Sequence, residues 1–240
     1  MSAALAAIGG DLAGNPLTWL VLTLVVYQAA HWLWRRAGMT PLLNPVLLSI
    51  AAISAILVTS GIDYDRYFAG SRLIHFLLGP ATVALAIPLY RQLGQLLRSA
   101  GALIVGLLAG SVTAILSSLA IGWALGASRQ TILSMAPKSV TSPIAMGVAE
   151  QIGGLPSLTA VLVILTGIVG AIGGAWLLDR LRVTDERARG VAIGTASHGI
   201  GTARALQMGE VTGAFSGLAM GLNGIATALL VPLLVKWLMG

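Results

Sequence analysis

The sequence predicts an all-α integral membrane protein: a multi-span helical bundle with Pro/Gly-broken re-entrant segments. Three observations carry this. Of 240 residues, 57% are hydrophobic and only 9% charged, whereas a soluble domain carries about 25% charged residues. The 30 glycines and 5% aromatics suit helices that pack closely, as membrane helices do when no hydrophobic drive pushes them together. The apolar chain is also interrupted by polar stretches, above all Met135–Gly154, MAPKSVTSPIAMGVAEQIGG. Broken polar backbone at membrane depth is tolerated only where protein buries it or where it lines a watery cavity.

Crossing a bilayer takes about 20 apolar residues. Pro16–Trp34, Leu42–Thr59, Leu73–Tyr90, Gly101–Leu125 and Ser157–Leu178 meet that need. Pro16 opens the first span at a helix-compatible position, and Trp32 and Trp34 close it where an aromatic belt sits. Pro80 and Pro88 kink or break the third. After Leu178 the run DRLRVTDERARG reads as a surface loop. Val191–Met208 is Gly/Ala/Thr-rich and holds His198 and Arg204; Ala214–Leu238 is apolar but broken by Asn223-Gly224 and Pro232. His31 and His75 lie near span ends and read as interfacial.

The formal charge of +6 does not mark a nucleic-acid binder, because the basic residues are scattered between apolar spans. With the N-terminus outside, Arg35, Arg36, Arg91, Arg98, Arg180, Arg182, Arg187 and Arg189 fall on the cytoplasmic side, and Arg66, Arg72 and Arg129 on the other. That fits the positive-inside rule if Met135–Gly154 returns to the side it left. If it crosses fully, the Arg180–Arg189 loop faces outside. The N-terminal MSAALAAIGGDLAGN lacks a basic n-region and a cleavage pattern, so insertion is expected through the first span. The absence of cysteine excludes disulfides and thiolate metal sites.

Internal similarity suggests inverted repeats. At an offset of 57, Pro80, Val83 and Ile87 match Pro137, Val140 and Ile144, and GSVTAI (110–115) matches GIVGAI (167–172). At an offset of 144, LGPATVALAIPLY (78–90) resembles LNGIATALLVPLL (222–234). Paired broken segments point to a transporter site.

Two polar constellations are the candidate site. In the first, Lys138, Ser139, Thr141, Ser142 and Pro143 form a break with a new helix starting near Thr141 or Ser142, since Ser and Thr are good N-caps. A helix start favours an anion, and Lys138 adds a full charge. The bland alternative is a solvated loop ahead of a surface helix. In the second, GTASHGIGTAR, Thr195, Ser197, His198 and Thr202 supply neutral hydrogen bonds, Gly199 allows close backbone approach, and Arg204 offers a fork suited to a carboxylate. Here the alternative for His198 is a packing histidine with one satisfied nitrogen. Asn223 either lines the cavity or clips two helices together, because an unbonded amide in an apolar span is costly. Glu150, His198 and Glu210 are the candidates for proton coupling. No metal or cofactor site is expected. With no HExxH, paired catalytic carboxylates or nucleophile elbow, the chain does not read as an enzyme.

PKSVTSPIAMGVAEQIGGLPSLTAVLVILTGIVGA, ARGVAIGTASHGIGTARALQMGEVTGAFSGLAMGLNGIATALLVPLL and FLLGPATVALAIPLYRQL resemble the LrgB/CidB family of bacterial membrane proteins, from about Pro41 to Pro232. The resemblance implies one LrgB-like transmembrane domain over residues 1–240 in the bacterial inner membrane. Members are described as antiholin-like regulators of murein hydrolase export and cell death, commonly found with a small holin-like LrgA/CidA partner. A plastid relative that fuses both parts carries glycolate and glycerate, and bacterial relatives are linked to pyruvate or lactate uptake. The resemblance thus implies a carrier of small monocarboxylates, working by alternating access around broken helices. The other expectations are a separate LrgA/CidA-like partner and a homodimer. The competing readings are an antiholin-like regulator of a holin-like pore and a passive channel.

Overall fold

In the computed structural model, residues 15–38, 40, 43–84 and 86–239 are described. The N-terminal segment before Asn15 and the side chains of His75 and Pro88 lie outside that description. The chain forms two compact units, Met1–Ala84 and Leu85–Gly240.

The first unit holds α1 (Pro16–Arg36), α2 (Pro45–Ser60) and α3 (Tyr64–Ala84). Asn15 caps α1 by accepting from the Leu17 N–H at 3.0 Å, and Pro16 occupies the first turn, where its missing N–H costs nothing. Asn44 and Pro45 repeat the device at α2, and Gly61 ends α2 at φ 65°, a left-handed cap that suits glycine. The helix α1 packs on α3 through Gly70, where an added Cβ would come within 2.8 Å of the Trp19 Cβ. Thr23 and Tyr67 share a 3.0 Å hydrogen bond there. Trp32 is exposed beneath the Arg36 guanidinium, 4.3 Å away, but Trp34 is buried against the His31 ring. Only Trp32 therefore stands where a belt residue would. The expected span Leu73–Tyr90 does not coincide with one helix: α3 begins nine residues before it, because the polar turns YDRYFAGSR are already helical, and ends at Ala84.

The second unit comprises α4 (Ala86–Arg91), α5 (Leu93–Arg98), α6 (Ala100–Ala124), α7 (Arg129–Met135), α8 (Ser142–Gln151), α9 (Pro156–Arg180), α10 (Glu186–Met208) and α11 (Glu210–Met239). Among the described residues, four helices, α1, α6, α9 and α11, are long and apolar enough to cross a membrane.

The two ends of this unit can be told apart by their contacts. At one end, Arg187 donates to the Ser99 Oγ at 3.2 Å and Arg189 pairs with Asp179 at 2.6 Å. The start of α6, the end of α9 and the start of α10 thus share the Asp185 end. At the other, Gly122 abuts Ile132 and Met135, and the Leu155 N–H donates to the Ser134 Oγ at 2.8 Å. The chain that leaves as α7 therefore returns as α8 to the same end, a folded-back hairpin.

The helix α10 is a second hairpin, inserted from the opposite end. His198 has φ 40° and ψ −138° inside it, and the arms 186–197 and 199–208 fold against each other. Ile193 and Ala205 share one apolar cluster with Leu178 and Met208, and a Cβ at Gly209 would lie 3.7 Å from Glu186. Val191–Met208 is consequently not a span. The hydrophilic run after Leu178 is mostly helix ends; Asp185 caps α10 by accepting from the Arg187 and Ala188 N–H groups. The Arg187 guanidinium, donating to Asp185 at 2.6 Å, and after it these backbone bonds hold the Asp185 carboxyl down at about 2.

The two hairpins repeat at 57 residues. Arg129 and Gln151 bound the first, Glu186 and Met208 the second, while α6 and α9 start 56 residues apart. The matched hexapeptides at 110–115 and 167–172 thus sit at equivalent places in α6 and α9. Because the first hairpin returns the chain to the end it left, α6 and α9 run in opposite directions, so the repeat is inverted. The 144-residue match aligns the interior of α11 with a stretch that ends α3 and begins α4, and no shared element corresponds to it.

The expected break at Asn223-Gly224 does not occur, and α11 runs continuously from Glu210 to Met239 with Pro232 inside. The Asn223 amide finds partners on other elements, and Gly224 leaves room for Ile144, whose Cδ1 would lie 2.9 Å from an added Cβ. A proline in a membrane helix is tolerated when neighbours and local adjustment satisfy the freed carbonyl.

Candidate functional site

The hairpin tips meet in the middle of the second unit. Asn223, halfway along α11 and 1% exposed, donates to the Thr195 carbonyl at 2.9 Å and the Ser139 carbonyl at 3.3 Å. Its Oδ1 lies within hydrogen-bond reach of Ser111 on α6 and of Thr227. One side chain therefore ties both tips and α6 together. Of the two sequence readings of Asn223, the clip is the one its contacts describe.

The first tip is built by proline and hydroxyl chemistry. Thr141 is the N-cap of α8, with an extended backbone, and Pro143 occupies the first turn. The Thr141 hydroxyl makes no capping bond, and Ala145 is the first residue whose N–H bonds back, to Thr141. The N–H groups of Ser142 and Ile144 precede it, so this helix start keeps donors and a partial positive charge. Ser142 is half-buried, Pro143 exposed and Ser139 buried. Lys138 is half-buried beside this turn and makes no side-chain ion pair or hydrogen bond among the described residues. It stands next to Ser139, whose carbonyl Asn223 ties to the second tip, so the ammonium belongs to the turn that meets that tip.

The second tip turns on His198. Its Nε2 sits 2.8 Å from the Val163 carbonyl on α9. A carbonyl only accepts, so Nε2 carries the proton and Nδ1 makes no hydrogen bond among the described residues. The ring lies on Gly167, where an added Cβ would stand 2.6 Å from Cε1. Thr202 donates to the His198 carbonyl and shares a 2.9 Å bond with Ser216 on α11. Ser197 is buried in the same turn, against Gly170 and Gly201. Gly199 starts the returning arm, so a second helix start faces the middle. The 57-residue repeat makes Thr141 and His198 equivalent, and likewise Lys138 and Thr195.

Not all predicted residues converge. Arg204 lies more than a turn beyond the tip, where its guanidinium holds Gln207 at 3.1 Å. Glu150 is exposed on α8. Glu210 pairs with Arg91 at 3.7 Å near the Asp185 end. Lys138 is thus the one cation of the candidate set that the structure brings to the tips. Sequence reasoning missed Ser111, Ser216, Gly167 and the Val163 carbonyl. Only Ser111 and Gly167 carried a signal, through the matched hexapeptides.

The central arrangement holds one unpaired ammonium, two helix starts and several hydroxyls, enclosed by α6, α9 and α11. Such a set can strip a small anion of water and replace its hydration with fixed donors.

The LrgB-like family model matches residues 23–237. The uncharacterized protein YwbG of Bacillus subtilis (strain 168) is 38% identical over 219 residues, 91% of this chain and 97% of that one. An uncharacterized protein of Haemophilus influenzae (strain ATCC 51907 / DSM 11121 / KW20 / Rd) is 37% identical over 193 residues, 80% and 84% of the two chains. The antiholin-like protein LrgB of Bacillus cereus (strain B4264) is 29% identical over 224 residues, 93% and 97%. No solved structure matches the chain. With inverted hairpins meeting in a helical membrane bundle and a family match over most of its length, the chain belongs to the LrgB-like family.

Proposed function

We propose that the protein is a secondary carrier of small monocarboxylates, binding the anion where the hairpin tips meet. The observation that supports this most is the unpaired Lys138 ammonium between two helix starts. A charge inside a membrane protein is expensive and marks a substrate path by default. Inverted repeats around broken helices are a recurring plan of secondary transporters, with substrate near mid-membrane and one part rocking against another. Hydroxyls at Thr141, Ser142 and Thr195 suit glycolate, glycerate or lactate, and the keto group of pyruvate.

The Asp185 end is the cytoplasmic one in this reading. It carries Arg91, Arg98, Arg180, Arg182, Arg187 and Arg189, against Arg129 and Lys236 at the other, as the positive-inside rule expects. In the same reading the N-terminus lies outside the inner membrane, which Arg35 and Arg36 at the end of α1 support by the same rule. A separate LrgA/CidA-like partner rests on family resemblance, a homodimer on analogy with carriers that hold a fixed scaffold around a mobile part, and the absence of enzymatic activity on the lack of catalytic motifs in the sequence.

The test is uptake of labelled glycolate or lactate by liposomes holding the purified protein. Saturable uptake is expected. None at all, with or without the holin-like partner, overturns the carrier reading. A second reading, antiholin-like control of a pore, is favoured by the name of the Bacillus cereus relative. It expects altered murein hydrolase release on deletion, unaffected by Lys138→Ala.

A further inference from the structure

A cavity of about 730 Å³ lies between α6 and the first arm of the α10 hairpin, within the size range of small-molecule sites. It runs from Arg98 and Arg187 at the Asp185 end inward to Ala114 and Thr195. Along an α-helix, Arg187 and Thr195 are about 12 Å apart, so the cavity reaches from the rim of the unit to the level of the tips. Small residues, among them Gly106, Gly110 and Ala192, line much of its length, beside Leu103, Val191 and Phe215. A Cβ placed on Gly106 would meet nothing within 4 Å, so that face of α6 looks onto open space.

The two ends of the cavity carry its polar chemistry. At the rim, Arg187 is held by Asp185 and Ser99, while Arg98 is exposed and makes no ion pair among the described residues. A free guanidinium at a low-dielectric mouth raises the local concentration of anions. At the inner end Thr195 is 5% exposed, and its Oγ1 is the one enclosed side-chain oxygen or nitrogen among the described residues without a hydrogen-bond partner. Enclosed hydroxyls are nearly always bonded, so this one points to a ligand. The Thr195 carbonyl is already taken by Asn223, which fixes the residue next to the tip junction.

We propose that this cavity is the vestibule by which a small hydroxy-carboxylate enters from the Asp185 end, and that the Thr195 hydroxyl is the hydrogen-bonding group that receives it at the inner end. The inference rests on the carrier reading and adds the side of entry, the route and a specificity residue. Arg98 gathers the anion, the small residues of α6 and α10 leave it room, and Thr195 hands it to the junction beside Lys138.

The chain has no cysteine, so Gly106→Cys gives a unique thiol in the vestibule wall. The probe is a membrane-impermeant sulfonate-bearing methanethiosulfonate, applied to either side of oriented proteoliposomes. Labelling is expected from the Asp185 side only and slowed by glycolate. The adduct is expected to reduce glycolate uptake at least about tenfold against the same unlabelled variant. In parallel, Thr195→Val is expected to raise the KM for glycolate about tenfold, the loss of one hydrogen bond to a charged group, with thermal unfolding unmoved and Thr195→Ser restoring it. Uptake that survives both the adduct and Thr195→Val overturns this inference alone, as does labelling from the opposite side. Absence of uptake by the unmodified protein overturns the carrier reading, and this inference with it.

Discussion

Asn223 on α11 donates its side-chain amide to the Thr195 carbonyl at 2.9 Å, and its second hydrogen reaches Ser139 at 3.3 Å. A carbonyl at a helix break has lost its helical partner, and in a membrane interior each such orphan costs several kcal/mol. One amide therefore stabilises two breaks at once. It also makes the tips a single body, so movement of one hairpin alone requires Asn223 to let go. Asn223→Ala leaves both carbonyls short of a partner, while Ser111 keeps the Leu107 carbonyl at 2.7 Å; this predicts a loss of about 2–4 kcal/mol and a clear drop in the detergent unfolding temperature. Ser111→Ala costs less, because only one contact of the amide disappears. Equal unfolding temperatures for Asn223→Ala and the parent would contradict the clip.

Lys138 behaves oppositely. It has no partner to lose, so Lys138→Gln removes an uncompensated partly buried charge. The unfolding temperature is expected to hold or rise, while carboxylate uptake falls more than tenfold. Arg204→Ala costs less uptake than Lys138→Gln, since its guanidinium turns to Gln207. A larger uptake defect in Arg204→Ala would move the anion site down the returning arm.

How much of the molecule was legible in the sequence depends on where each signal resides. The helices α6 and α9 lie within two residues of their predicted spans, because 25-residue apolar runs carry their own evidence. The first hairpin was legible too: Pro137 and Pro143 bracket a break that local chemistry enforces. The second has no proline, and its reversal at His198 depends on Val163 and Gly167, more than thirty residues away. Asn223-Gly224 misled for the converse reason, since an amide that is a local breaker becomes a crosslink once distant carbonyls reach it. The vestibule was not legible at all; which small residues face open space is decided by packing, not by composition.

Gly167 is predicted to be intolerant of even one methyl group. Its added Cβ would stand 2.6 Å from the His198 Cε1 and 3.0 Å from the Ile200 Cβ. The ring must then leave the Val163 carbonyl, and overpacking of this kind costs about 1–3 kcal/mol. Gly167→Ala should lower both unfolding temperature and uptake. Adding His198→Ala removes the clashing ring, so the double variant should lose less stability than the two single losses combined. Strict additivity in that cycle would show that the ring and the glycine do not interact as described.

Asp185 provides a pH test outside the membrane-spanning helices. Its carboxyl is lowered from 3.8 to about 2, first by the Arg187 side chain and then by the Ala188 N–H. The folded state therefore prefers the ionised form, and the stabilisation is complete above about pH 4 and lost as pH falls toward 2. The site is highly exposed, so solvent screening keeps the ion-pair part small and the cap itself dominates. Asp185→Ala should cost roughly 0.5–2 kcal/mol at neutral pH. Asp185→Asn keeps the capping oxygen and loses only the charge, so it should fall between. Unfolding temperatures followed from pH 6 down to pH 2.5 should converge for the parent and Asp185→Asn as the carboxyl takes up its proton. A gap that stays constant through that window would place the stabilisation elsewhere than in the ionised carboxylate.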